Sequence, residues 1–132
     1  MYLAIVLTPE SQAALKQLIP EFASEWKEYC HHCTITMGTN SKRKYDYTEG
    51  EQVEMTVTHI GYNSTNVAVR VTVPKPIKNK IPHVTMSVDT ESGGKPFFSN
   101  KIERWYPIEH LLTALHTGIY EITLKGVVRL CE

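Results

Sequence analysis

The chain has 132 residues, 42% hydrophobic and 21% charged, with a formal net charge of zero at pH 7. This balance predicts one soluble globular domain over 1–132, with no apolar run long enough to span a membrane. Neutrality argues against a grip on long duplex nucleic acid, which needs a basic excess. A small phosphorylated ligand or an RNA end remains open.

Residues 2–8 read as a buried strand; the apolar start lacks the basic flank and cleavage site of a signal peptide. Thr8-Pro9-Glu10 is a helix start, with a capping hydroxyl, a proline at the first helical position and an early acid. Leu15, Leu18, Ile19, Phe22 and Trp26 share one helical face. They predict a long helix to about Tyr29, kinked or interrupted at Pro20, with that face in the core. The odd count of three cysteines, Cys30, Cys33 and Cys131, predicts reduced thiols and a cytoplasmic location. Cys30-His31-His32-Cys33 suggests a zinc check, but no second such pair exists. On a strand the two thiols would also face opposite ways, so no metal or cofactor is expected.

Residues 31–37 form the next strand. A polar loop from Gly38 to Glu49 follows, carrying Lys42, Arg43, Lys44, Tyr45 and Tyr47. It reads either as a solvated basic loop or as a flap that meets phosphates and stacks on bases. Residues 51–60 and 66–73 predict a hairpin turning at Gly61-Tyr62-Asn63-Ser64, with His59 structural. Residues 82–88 are a further strand. Gly93-Gly94-Lys95-Pro96 opens an irregular stretch with Phe97, Phe98, Ser99, Asn100, Lys101, Trp105 and Tyr106, whose aromatic residues either pack the loop or sandwich a base. A short helix is expected from Ile108 to His116. The last strand, Ile119 to Leu130, closes the sheet with a bend or bulge at Gly126.

Two of these strands carry one pattern written twice: His32-Cys33-Thr34-Ile35-Thr36 and His83-Val84-Thr85-Met86-Ser87. Side chains on a strand alternate faces. His32, Thr34 and Thr36 therefore share a polar face, as do His83, Thr85, Ser87 and Asp89. Cys33, Ile35 and Met37, and likewise Val84, Met86 and Val88, form the apolar backs. The same alternation selects His32 over His31 as the functional histidine. This doubling suggests two similar lobes, each giving one strand to a central groove. Imidazoles titrate near neutrality, so one can act as base and the other as acid. The hydroxyls of Thr34 and Thr85 lie on the same faces as the histidines, where they can donate hydrogen bonds. Which histidine is the base stays open.

The paired motif resembles the two-histidine (2H) phosphoesterases. These include LigT-like RNA ligases and cyclic phosphodiesterases, the cyclic phosphodiesterase parts of tRNA ligases, and phage enzymes that destroy the cyclic nucleotide signals of CBASS immunity. The resemblance is carried by His32/Thr34 and His83/Thr85 and by the order of elements over most of the chain. It implies an α+β fold of two pseudo-symmetric lobes of mainly antiparallel sheet around a central cleft, with a long N-terminal helix and a short second one. It also implies metal-independent phosphodiesterase chemistry, with the segment after the second motif bordering the cleft. The candidate catalytic residues are His32, Thr34, His83 and Thr85. Candidate substrate contacts are Lys42, Arg43, Tyr45, Lys95, Phe97, Asn100 and Trp105. The first expectation is cleavage of cyclic oligonucleotide second messengers, in a host cytoplasm if the source is viral. The alternative is RNA-end processing by a 2′,3′-cyclic phosphodiesterase or a 2′–5′ ligase-like enzyme. A non-catalytic nucleotide-binding module is less favoured, because both motifs are intact.

Overall fold

A computed structural model describes residues 1–38, 45–114 and 121–132. Strand β1 (Tyr2–Leu7) has Leu3, Ala4 and Ile5 fully buried, as an interior strand must. Helix α1 (Pro9–Lys16) begins as its sequence predicts, with the Thr8 hydroxyl accepting from the Ser11 amide at 3.2 Å. It stops far short of Tyr29. Pro20 lacks an amide hydrogen, and in a continued helix its ring would clash with the carbonyl of Lys16, the last helical residue. Pro20 is instead extended (φ −61°, ψ 151°) and starts a 3₁₀ turn, Glu21–Ala23. The expected apolar face is split as a result. Leu15 and Leu18 reach the core, whereas Phe22 is 56% exposed and meets Trp26 and Tyr62 edge-on.

The other elements are β2 (Lys27–Glu28), β3 (His32–Met37), β4 (Gln52–Tyr62), β5 (Asn66–Val71), β6 (His83–Val88), β7 (Trp105–Pro107), α2 (Ile108–Ala114) and β8 (Thr123–Cys131). The sheet runs β2-β6-β5-β4-β8-β1-β3, with β7 also on β4. Every pairing among the described strands is antiparallel. The domain is therefore sheet-rich with few helices, and it is compatible with a 2H phosphoesterase fold. Strand β4 is shared: Gln52–Thr56 pair with β8, and Val57–Tyr62 pair with β5 across a bulge between Val57 and His59. The hairpin turn is tighter than expected, because Gly61 and Tyr62 stay paired. Asn63 makes the turn, its side-chain oxygen accepting from the amides of Thr65 and Asn66. Gly61 has a different use. A Cβ there would lie 2.6 Å from the Trp105 ring.

Strand β8 does not close an edge; it lies between β1 and β4. Gly126 is not at a bulge. It pairs in unbroken register with Leu7 and Val53. Glycine is needed because a Cβ would sit 2.6 Å from Ile5 Cγ2 and 2.9 Å from the Val6 carbonyl oxygen. Helix α2 forms where expected up to Ala114. Its predicted end at His116, and the predicted strand start at 119–120, lie outside the described residues.

The ends of the sheet path, β2 and β3, are separated by only three residues of chain. Strand β2 pairs with β6, and that bonding continues through Tyr29 N to the Met86 carbonyl (2.8 Å) and Cys30 N to the Thr85 carbonyl (2.9 Å). Cys30 then takes a left-handed conformation (φ 49°). This is rare for a residue with a Cβ and costs roughly 1 kcal/mol or more. From His31 on, the chain bonds to β1 instead. One residue thus moves the chain from one neighbour to the other and sets His32 beside β6.

Candidate active site

Both histidine strands show the alternation that the sequence predicts. His32, Thr34, His83 and Thr85 are half-buried, while Cys33, Ile35, Val84 and Met86 are buried in the core. Met37, expected on the apolar back of β3, departs from it and is 61% exposed, and so does the third hydroxyl of each copy. Thr36 and Ser87 are almost wholly buried, and the Ser87 hydroxyl has no hydrogen-bond partner among the described residues. Asp89 leaves the face to cap the 3₁₀ turn Thr90–Ser92 through the Ser92 amide.

The four half-buried residues line one cleft of about 690 Å³. Its walls include Tyr2, Tyr29, Lys78, Asn79, Phe97 and Asn100. Tyr2 leans on His32, ring centroids 5.1 Å apart. The segment Pro96–Lys101 is a 3₁₀ helix rather than irregular chain. Its three-residue repeat puts Phe97 and Asn100 on one side, toward the cleft, and turns Ser99 inward.

His83 Nδ1 lies 2.8 Å from the Ile81 carbonyl oxygen. A carbonyl only accepts, so Nδ1 carries the proton and Nε2 is left free in the neutral ring. His32 Nδ1 meets His31 Nδ1 at 3.0 Å, so one of these nitrogens donates and the other accepts. Burial lowers the proton affinity of both site histidines. The pKa of His32 falls to about 4, with charge on His31 and on His83 adding to the burial effect. Burial also lowers that of His83, opposed by the Ile81 carbonyl. Both rings are therefore neutral at pH 7.

The two threonines differ. Thr85 Oγ1 is 2.8 Å from Ser99 Oγ, and Ser99 Oγ accepts from Asn66 Nδ2 at 3.0 Å. The Thr34 hydroxyl has no hydrogen-bond partner among the described residues. No group of three or more His, Cys, Asp or Glu converges on a metal-sized site among the described residues. Burial pushes the thiols of Cys30 and Cys33 up to about 12, so neither is a ready thiolate ligand. The resulting constellation has two neutral imidazoles and two hydroxyls around one cavity. It can take a proton, return one and hold an anion.

A model of the fungal tRNA ligase phosphodiesterase domain matches residues 11–131, a span that includes both histidine motifs. The chain belongs to this family. It is a 2H phosphoesterase-type domain, as the doubled motif implied. A search among curated proteins finds no match to the chain.

Within this 2H domain the expected substrate contacts fall in different places. Phe97 and Asn100 are on the cleft wall. Lys42 and Arg43 lie outside the described residues. Tyr45 packs against the core. Lys95 is exposed; its carbonyl accepts from Asn66 at 2.9 Å. Trp105 is not on the cleft wall; its ring lies tilted beside that of His83, centroids 6.4 Å apart. His59 bonds its neighbour Thr58 at 2.8 Å and is not at the cleft. Sequence reasoning assigns no site role to Tyr2, Tyr29, Lys78, Asn79 or Ser99. Only Lys78-Asn79, a polar pair between Pro76 and Pro82, carried any local signal. No helix among the described residues is long and apolar enough to cross a membrane.

Proposed function

We propose that this domain, acting as one unit over 1–132, opens 2′,3′-cyclic phosphates at RNA ends without a metal. The observation that carries the reading is the single cleft shared by His32, Thr34, His83 and Thr85 in a chain of this family. The neutral His83, with Nε2 free, takes a proton from water as the water oxygen bonds to phosphorus. The bond from phosphorus to one ribose oxygen breaks. That oxygen takes a proton from His32, leaving a ribose phosphomonoester. An anionic phosphate in the cleft raises the proton affinity of the rings beside it, which lets His32 arrive protonated. His31 Nδ1 can then accept from the charged ring. Thr34 and Thr85 donate to the non-bridging oxygens. Pseudo-symmetry of two lobes accounts for the doubled motif. Phe97 and Asn100, on the cleft wall, would meet the terminal base in this reading.

The family match favours this RNA-end reading over the cyclic-oligonucleotide cleavage first expected from the sequence. Incubation with an RNA ending in 2′,3′-cyclic phosphate, and separately with 3′3′-cyclic GMP-AMP, separates the two. Turnover of the RNA is expected, with excess EDTA present throughout. Turnover of the cyclic dinucleotide alone would reverse the preference, and loss of activity in EDTA would remove the metal-free mechanism. A substrate whose leaving oxygen is replaced by sulfur needs little protonation. On it, His32→Ala should recover most of its rate and His83→Ala should not; the opposite pattern exchanges the two roles.

A further inference from the structure

We propose that Ser99, held by Asn66, is a positioning residue that aims the Thr85 hydroxyl hydrogen into the cleft. This rests on the phosphate-binding role given to Thr85 above. The direction of the chain of hydrogen bonds follows from its buried end. Asn66 is fully buried. Its side-chain nitrogen faces the carbonyls of Lys95 (2.9 Å) and Pro96 (3.3 Å), and its oxygen accepts from Thr65 Oγ1 at 2.7 Å. Carbonyls only accept, so the amide cannot be flipped. Asn66 Nδ2 therefore donates to Ser99 Oγ.

Ser99 is 1% exposed. Its own hydrogen needs an acceptor, and among the described residues Thr85 Oγ1 is the remaining oxygen within reach, at 2.8 Å. The reverse arrangement, with Thr85 donating to Ser99, would strand a buried hydroxyl hydrogen without an acceptor, which is unfavourable. It would also turn the Thr85 hydrogen away from the cleft. The favoured order is Asn66 to Ser99 to Thr85, which leaves the Thr85 hydrogen for a phosphate oxygen, a group that only accepts. Thr34 has no such support, so its hydroxyl must be oriented by the substrate itself.

The test is a double-mutant cycle read two ways: turnover of RNA ending in 2′,3′-cyclic phosphate, and affinity for inorganic phosphate followed by NMR of the His83 ring. Ser99→Ala should lower kcat about tenfold with KM little changed, and should weaken phosphate binding several-fold, as expected for a donor that loses its aim. In a Thr85→Ala background the same change should have no further effect, whereas in a Thr34→Ala background it should keep its full effect. Ser99→Cys preserves volume with a weaker donor, and should show a smaller loss with the same dependence on Thr85; it serves if the alanine variant fails to fold. An equal loss with and without Thr85, or no loss in either, overturns the relay. A wild type that binds phosphate but turns over no cyclic phosphate ends the functional reading alone, and the binding cycle then decides the relay. A wild type that binds no phosphate ends both.

Discussion

The two histidine motifs are nearly the same in sequence and differ in what holds them. On β6, the His83 ring is tied to the Ile81 carbonyl, Trp105 lies beside it, and Thr85 is tied to Ser99. On β3, His32 leans on the exposed His31 and on Tyr2, and Thr34 has no partner among the described residues. A group that is oriented before substrate arrives needs no reorganisation during the reaction. The β6 half is built in that way. Under the proposed mechanism, the β3 half would take its final charge and orientation from the bound phosphate. Equivalent letters in two strands thus imply equal chemistry but not equal readiness.

The largest effects should come from the imidazoles. Removing a general acid or base costs roughly 10²–10⁴-fold, so His83→Ala and His32→Ala should each lose about that much kcat/KM on cyclic-phosphate RNA. Retention of more than a tenth of the activity by either variant would break the comparison at its root. The next effect is on folding. Unfolded His32 titrates at 6.5 and folded His32 at about 4. Between those values the unfolded chain binds more protons, so stability is fully present above the upper value and falls as pH drops through the window. The loss approaches about 3 kcal/mol, at about 1.4 kcal/mol per tenfold change in proton affinity. Urea unfolding at pH 7 and pH 4 should show it, and His32→Gln should flatten much of it; an unchanged slope would mean His32 is not the buried neutral group. For kcat/KM, which needs one ring charged and one neutral, the same lowered affinities move the bell to the acid side of an ordinary histidine pair.

The threonines come third. Thr85→Ala should cost about 10²-fold in kcat, as for loss of an oriented donor. Thr34→Ala should cost about tenfold, because its hydroxyl has to be ordered on binding. Equal losses would show that the Ser99 contact confers no advantage. The smallest effect belongs to His31→Ala. Removing that charge lets the His32 proton affinity rise toward its ordinary value, so NMR titration should find it higher, with activity at pH 7 changed by only a few-fold.

Much of the site was legible because strand alternation is local. His32 over His31, and the pairing of each histidine with a threonine two residues on, follow from period two alone. The cap at Thr8 was legible for the same reason. What stayed hidden depends on distant parts of the chain. Asn66 and Ser99 are 33 positions apart, and nothing near either residue announces the other. At Pro20 the sequence leaves a kink and an interruption open; the missing amide hydrogen and the ring produce the interruption, so the apolar stripe does not run on as helix to Tyr29. Gly126 looked like a bend, but it answers a close approach from Ile5 that depends on which strands lie together. The cleft walls of Tyr2 and Tyr29 likewise come from pairing order, which no single segment encodes.

The crossover at Cys30 has a practical consequence. Cys30 and Cys33 are buried and bracket the point where β2 gives way to β3, while Cys131 is partly exposed. A neutral thiol barely reacts with iodoacetamide, and both inner sulfurs stay neutral at any physiological pH. Labelling them requires the join between the two histidine strands to part. The slow rate at Cys30 and Cys33, set against prompt capture at Cys131, would act as a clock for how often the two histidine strands breathe apart, and a bound phosphate should slow that clock.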